Sequence, residues 1–123
     1  MDPVDRFQQA RRLLEERQPR AALDLLVPAV RDEPGSPSLR TLLAWAYFMT
    51  AQLRHAETEL RRLVEDAPTD VWARFALGRT LERQSRLTEA LPHLRLAAAM
   101  KQDGDYRDAL RRVEAWLGRP GAA

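Results

Sequence analysis

Residues 37–70 read PSLRTLLAWAYFMTAQLRHAETELRRLVEDAPTD, and those 34 letters hold two helical stripes. Leu43, Ala44 and Tyr47 fall on one face of a helix by their one-turn spacing, and Ala56, Leu60 and Leu63 fall on one face of a second. In front, Ser36 and Pro37 supply an N-cap and a first helical position. Behind, Pro68 with Thr69 and Asp70 reads as a stop followed by a new start. The same pattern lies 34 residues to either side: Pro34 becomes Pro68, Ala22 becomes Ala56 and Ala90, and Leu26 becomes Leu60 and Leu94. Ala10, Ala44 and Gly78 keep the interval, as do Leu13, Tyr47 and Leu81, and Ala29, Leu63 and Ala97. A fixed period of this length marks a stacked-repeat protein.

Each unit is therefore an αα-hairpin, with its turn expected at Gln18-Pro19, Ala51-Gln52 and Ser85-Arg86. The small residues Ala10, Ala44 and Gly78 face Ala22, Ala56 and Ala90, so that two backbones approach closely while Leu26, Leu60 and Leu94 fill the space beside them. A single hairpin leaves half its apolar surface wet, and stacking buries the shared stripe. After Gln102, Asp103-Gly104-Asp105 stops and restarts the chain. A last stripe of Tyr106, Ala109, Leu110, Val113, Trp116 and Leu117 then reads as a terminal cap, with Arg107, Asp108, Arg111, Arg112 and Glu114 toward water. Pro28 and Pro92 fall inside second helices and are expected to bend them.

These columns resemble the tetratricopeptide repeat. Seven signature columns in three units give 21 places, and all but Gln9, Leu63 and Gln102 fit, leaving 18. The resemblance implies an all-α fold, an α-α superhelix of three stacked helix hairpins plus a C-terminal capping helix. The boundaries are 3–36, 37–70 and 71–103 for the repeats, 104–118 for the cap and 119–123 for a flexible tail. Where the family carries an aromatic residue early in its first helix, this chain has Arg6, Arg40 and Arg74. Their aliphatic stems are expected to cover the neighbouring helix while the heads stay wet, in preference to a charged ladder.

Composition fits one domain of 123 residues, long enough to bury about 65% of its unfolded surface. Twenty basic and eighteen acidic residues leave a net charge of +2. The doublets Arg11-Arg12, Arg61-Arg62 and Arg111-Arg112 alternate with carboxylates, which favours ion pairs over phosphate contacts and argues against nucleic acid. Arginine almost to the exclusion of lysine, with abundant Ala and Leu, suggests a GC-rich bacterial coding sequence. The absence of cysteine excludes disulfides and thiolate metal sites. Met1-Asp2-Pro3-Val4-Asp5 has no apolar signal region, so the expected compartment is the cytoplasm. The longest apolar run, Leu42 to Met49, is far short of the ~20 residues that span a bilayer.

Catalysis finds no footing. His55 and His93 occupy different repeat positions without a nucleophile or ligand partner in pattern, and the five glycines are isolated, so neither an enzyme nor a cofactor or metal site is expected. What remains is the groove that the resemblance implies on the first helices. It would be lined by Val4, Phe7, Arg11 and Leu14, then Thr41, Trp45, Phe48 and Met49, then Trp72, Phe75, Arg79 and Arg83. Trp45, Phe48 and Met49 share a face, as do Trp72, Phe75 and Arg79, and the two sets are expected side by side.

Some family members clamp acidic chaperone tails with Lys and Asn. Those places fall here on Phe7, Arg11, Leu42, Trp72 and Ala76, of which only Arg11 could hold a carboxylate, so that function does not carry over. The expected function is a non-enzymatic interaction module that buries an apolar or amphipathic segment of a protein partner. The alternatives are a homo-oligomerisation module using the same aromatic patch and a small assembly or secretion chaperone.

Overall fold

A computed structural model describes residues 2–121, and all regular structure among them is helical. Met1, at the acidic start, and Ala122 and Ala123, at the end of the expected tail, lie outside the described residues. Seven helices follow one another: α1 (Pro3–Glu15), α2 (Pro19–Asp32), α3 (Pro37–Met49), α4 (Leu53–Asp66), α5 (Val71–Arg83), α6 (Leu87–Met100) and α7 (Gly104–Leu117). The odd-numbered helices α1, α3 and α5 begin 34 residues apart, as do α2, α4 and α6.

Caps explain the starts. Asp2, Ser36 and Asp70, again 34 apart, each precede a first helix in extended backbone. Their side-chain oxygens accept from the N–H groups of Val4 (3.2 Å), Leu39 (3.3 Å) and Ala73 (3.0 Å). Each satisfies a helix-end donor that would otherwise have no partner. Asp103 does the same for α7, accepting from Asp105 and Tyr106 at 2.9 and 3.3 Å.

The hairpin turns repeat as strictly. Arg17, Ala51 and Ser85 adopt φ of 60°, 59° and 61°. Gln18, Gln52 and Arg86 then donate back to the carbonyls of Leu13, Tyr47 and Leu81, while Arg17, Ala51 and Ser85 donate to Leu14, Phe48 and Glu82. This pair of nested bonds around a left-handed residue is the Schellman motif, which ordinarily recruits glycine. In the first repeat the turn is thus Arg17-Gln18, one residue earlier than expected, because Pro19 already serves as the first residue of α2.

The helices form two compact units that divide within α4, the first ending at Leu63 and the second beginning at Val64. In the first unit α1 packs on α2 and α3, and α2 on α3. Ala10, Leu14, Ala22, Leu26, Ala29, Leu39, Leu42, Leu43 and Ala46 form one buried cluster there. In the second unit α5 packs on α6 and α7, and α6 on α7, burying Leu77, Leu81, Ala90, Leu94, Ala97, Tyr106, Ala109 and Val113. The Thr80 hydroxyl, fully buried, donates to the Ala76 carbonyl at 2.7 Å and so costs no orphaned polar group. Gly78 is the tightest point, since a Cβ there would lie 2.6 and 2.7 Å from Leu94 Cδ2 and Cγ. Both α2 and α6 run without interruption through Pro28 and Pro92.

Two expectations need correction. The guanidinium groups of Arg6, Arg40 and Arg74 are not held by water alone, and that of Arg40 is enclosed. Arg6 bonds Asp32 at 3.2 Å, Arg40 bonds Glu59 and the Pro34 carbonyl, and Arg74 reaches the His93 ring at 3.4 Å and the Pro68 carbonyl at 3.3 Å. Only 6% of the Arg40 side chain is exposed, because Glu59 on α4 gives the head a charged acceptor that replaces water. In the cap helix, Trp116 is half exposed instead of sealed, and Arg112, half exposed as expected, also bonds Glu82.

Glycine at position 17, 51 or 85 removes a left-handed penalty of about 1–2 kcal/mol per residue but adds unfolded-state entropy of ~0.4–1 kcal/mol. Each substitution, Arg17→Gly, Ala51→Gly or Ser85→Gly, is expected to raise unfolding free energy by about 0.5 kcal/mol in urea titrations, and the triple variant by their sum. Gly78→Ala runs the other way. Overpacking of ~1–3 kcal/mol against buried Leu94 exceeds the ~1 kcal/mol of helix propensity gained, so the midpoint falls.

Candidate functional site

In the first unit, the exposed sides of α1 and α3 carry the expected groove residues. Phe7, Trp45 and Met49 pack one side against the buried cluster and leave the other accessible. Helical spacing explains this. Trp45 and Met49 sit one turn apart, next to the buried Leu42 and Ala46, so they occupy the edge of the α3 core face. Thr41 and Phe48 are half-buried on the same helix. Arg11 is exposed and bonds Glu15 one turn on at 3.1 Å, a solvent-screened pair that holds it weakly. Leu14, expected in the groove, is instead a core residue at 1% exposure, because its position faces α2. Toward the start of α1 an open cleft of about 240 Å³ is bordered by Val4, Phe7, Glu33, Ser38 and Leu39. Val4 is 60% exposed at its lip.

In the second unit, α5 carries Trp72, Phe75 and Arg79. Trp72 is half-buried. The Phe75 ring stacks on Tyr106 of α7, with centroids 4.2 Å apart and planes inclined by 19°. Phe75 is therefore a packing residue of the cap as well as an accessible aromatic surface. Arg79 bonds Glu82 at 2.6 Å, and Glu82 also accepts two bonds from Arg112, at 2.5 and 2.9 Å. Burial works against the Glu82 charge, but the Arg112 and Arg79 guanidiniums outweigh it and hold the carboxyl below its ordinary value of 4.5. The bond to Glu82 correspondingly raises Arg112 above its ordinary value. The pair spans thirty positions, and no local spacing signals it.

The histidines take packing roles. His55 is exposed and stacks on Tyr47 at 5.0 Å, while His93 meets Arg74. Burial, and secondarily Glu59, raises the Tyr47 hydroxyl above its ordinary value. Among the described residues no group of three His, Cys, Asp or Glu side chains could hold a metal ion, and no helix is long and apolar enough to cross a membrane.

Caps, turns and core columns recur every 34 residues, and comparison with known proteins gives this arrangement a family. Tetratricopeptide repeat profiles match residues 13–74 and 50–104. The chain belongs to the tetratricopeptide repeat family. No curated protein sequence matches it. Among solved structures it is similar to MamA AMB-1, with a TM-score of 0.82 and 21% identity over 97% of this chain, which spans 66% of the MamA chain. It is also similar to the first tetratricopeptide repeat domain of Spaghetti (RPAP3) bound to the HSP90 peptide SRMEEVD, with a TM-score of 0.87, 18% identity and coverage of 95% and 94%. The second such domain of human RPAP3, in complex with the HSP70 peptide SGPTIEEVD, gives a TM-score of 0.80 at 13% identity, covering 92% of this chain and 98% of that one. At these identities the likeness establishes the all-α repeat fold. Leu42 and Ala76, two places where family members clamp acidic tails, are buried and apolar here.

Glu82 supplies a test of how the second compact unit is fastened. Its depressed value means that its stabilisation is fully present above the unfolded carboxylate value and is lost as pH falls through the lower folded value. Glu82→Gln is expected to cost about 1 kcal/mol at pH 7, allowing for the half-exposed Arg112. That cost shrinks toward zero in acid, so the wild-type and variant stability curves converge as pH falls through the lowered Glu82 value in thermal melts followed by circular dichroism.

Proposed function

We propose that this protein is a non-enzymatic interaction module whose first-helix face in the opening unit captures an apolar or amphipathic segment of another protein. The carrying observation is the placement of Phe7, Trp45 and Met49. Each is anchored on the buried cluster and half open, so it is held rigid before any partner arrives. Aromatic side chains fixed in this way lose little entropy on binding, and methionine adapts to the shape presented. Trp is the residue type most often dominant in such interfaces. Arg11, loosely paired with Glu15, adds one recruitable charge at the rim.

The partner chemistry follows from what the face lacks. Apart from Arg11 and Thr41 its proposed contacts are hydrocarbon and aromatic, so a segment presenting Leu, Ile, Met or Phe at one-turn spacing buries the most surface. The Lys and Asn clamp of chaperone-tail binders is missing. The bound peptides of the RPAP3 structures, SRMEEVD and SGPTIEEVD, illustrate what this fold can hold, while the side chains here select a less acidic ligand.

Panning a displayed library of random peptides against the whole chain tests this. The expected enriched peptides are amphipathic, and Trp45→Arg weakens them at least about tenfold, a loss of ~1.4 kcal/mol. Because Trp45 touches the core, Thr41→Arg serves as a second variant that blocks the face without removing a core contact. Binding that survives both substitutions overturns the assignment.

A further inference from the structure

We infer a second, separate docking site at the carboxyl end of α7, built to take a partner peptide that carries a carboxylate beside a large apolar side chain. It does not rest on the first-helix reading, because every residue involved lies in the second unit.

Trp116 is the centre of it. The indole is 50% exposed, although the apolar stripe of α7 predicts a packed residue, and it borders two adjoining clefts. The larger, of about 380 Å³, is floored by Leu87, Val113 and Ala115. A volume of that order admits one large side chain with its flanking backbone.

The charges around these clefts do not balance. Two carboxylates line them, and both are already engaged: Glu82 by Arg112 and Arg79, and Glu89 by Arg86 at 2.5 Å. Arg119 is different. Its guanidinium carbon lies over the Trp116 ring, 4.4 Å from the centroid, and its side chain makes no hydrogen bond or ion pair among the described residues. With none of its N–H donors bonded, the guanidinium can take a planar carboxylate with two parallel bonds. The ring contact also restrains the group before binding, which reduces the entropy lost on contact. One uncommitted cation next to an apolar floor matches an Asp, a Glu or a terminal carboxylate next to Leu, Ile or Phe. Nucleic acid fits poorly, since it needs several phosphate contacts and would meet Glu82 and Glu89 in the lining.

The test uses the whole chain and the same random-peptide display, now comparing wild type with Trp116→Ala and with Arg119→Glu. Peptides enriched through this site are expected to place Asp, Glu or the free carboxylate within two residues of a large apolar side chain. Their binding falls at least about tenfold in Trp116→Ala and persists in Trp45→Arg, which separates the two sites. In Arg119→Glu the selected acidic residue is replaced by Lys or Arg, a reversal that loss of folding could not produce. Unchanged melting of both variants in circular dichroism accompanies this result. Enriched peptides indifferent to both substitutions, or lacking the acidic residue, overturn the proposal. So does a dimer in sedimentation equilibrium that Trp116→Ala dissolves, since a second copy is then the occupant, or equal binding of a fluorescent oligothymidylate.

Discussion

Everything in this molecule follows from a backbone reversal executed three times at the same torsion angle. With φ near 60° at Arg17, Ala51 and Ser85, the chain leaves each first helix in one fixed direction. The paired bonds from Gln18, Gln52 and Arg86 lock that exit. A short turn of fixed geometry leaves the second helix little choice but to return antiparallel along the first. The antiparallel return brings Ala10 and Leu14 of α1 into one buried cluster with Ala22, Leu26 and Ala29 of α2. The left-handed conformation costs energy in all three non-glycine residues. Burial of the hairpin core, whose Ala22, Leu26, Leu60, Ala90 and Leu94 are all at or below 1% exposure, outweighs that cost.

Counting by the period explains how the end helices differ from those between them. In α3 the column Leu39, Leu42 and Ala46 is buried, whereas the corresponding residues of α1, one period earlier, are Asp5, Gln8 and Arg12, all exposed. In α7 the buried residues Tyr106, Ala109 and Val113 stand 33 positions after the buried Ala73, Ala76 and Thr80 of α5. That register sets Arg111 and Glu114, both exposed, where α5 has buried Gly78 and Leu81. Each terminal helix thus keeps one apolar column and surrenders another to charge.

Much of this was legible in the letters. The helix pairs, the N-caps Ser36 and Asp70, and the columns of Ala and Leu are local or strictly periodic features, and periodicity survives the loss of any single residue. The turn of the first repeat is the least legible, because the left-handed residue there is arginine and Pro19, which begins α2, imitates a turn proline. Side-chain destinations were less readable than helix faces. Leu14 and Phe48 share α-helical neighbourhoods that look alike in a stripe, yet one is sealed and the other half open. The bond from Arg112 to Glu82 joins residues on different helices, and only the packing of α7 on α5 brings them within reach. Trp116 and Arg119 were invisible as a pair for the same reason, since a cap helix is expected to bury its tryptophan.

The arginine column shows how one sequence position acquires different physics from its surroundings. Arg40 and Arg74 each donate to a proline carbonyl six residues earlier, Pro34 and Pro68, so both fasten a first helix to the turn that precedes it. Nineteen residues further on, Arg40 finds Glu59 while Arg74 finds His93. A guanidinium cannot accept a hydrogen bond, so the His93 Nδ1 is the acceptor where they meet. The carboxylate pair is nearly enclosed, whereas Arg74 keeps a buried Nε without a hydrogen-bond partner. Such an atom costs energy that a charged acceptor would recover. In that same repeat the helices have their glycine, Gly78, against Leu94, where the other two repeats have alanine. Two hairpins of one fold are therefore held by different forces: a shielded ion pair in the second repeat, and in the third the seating of the Leu94 side chain against Gly78, which the missing Cβ permits.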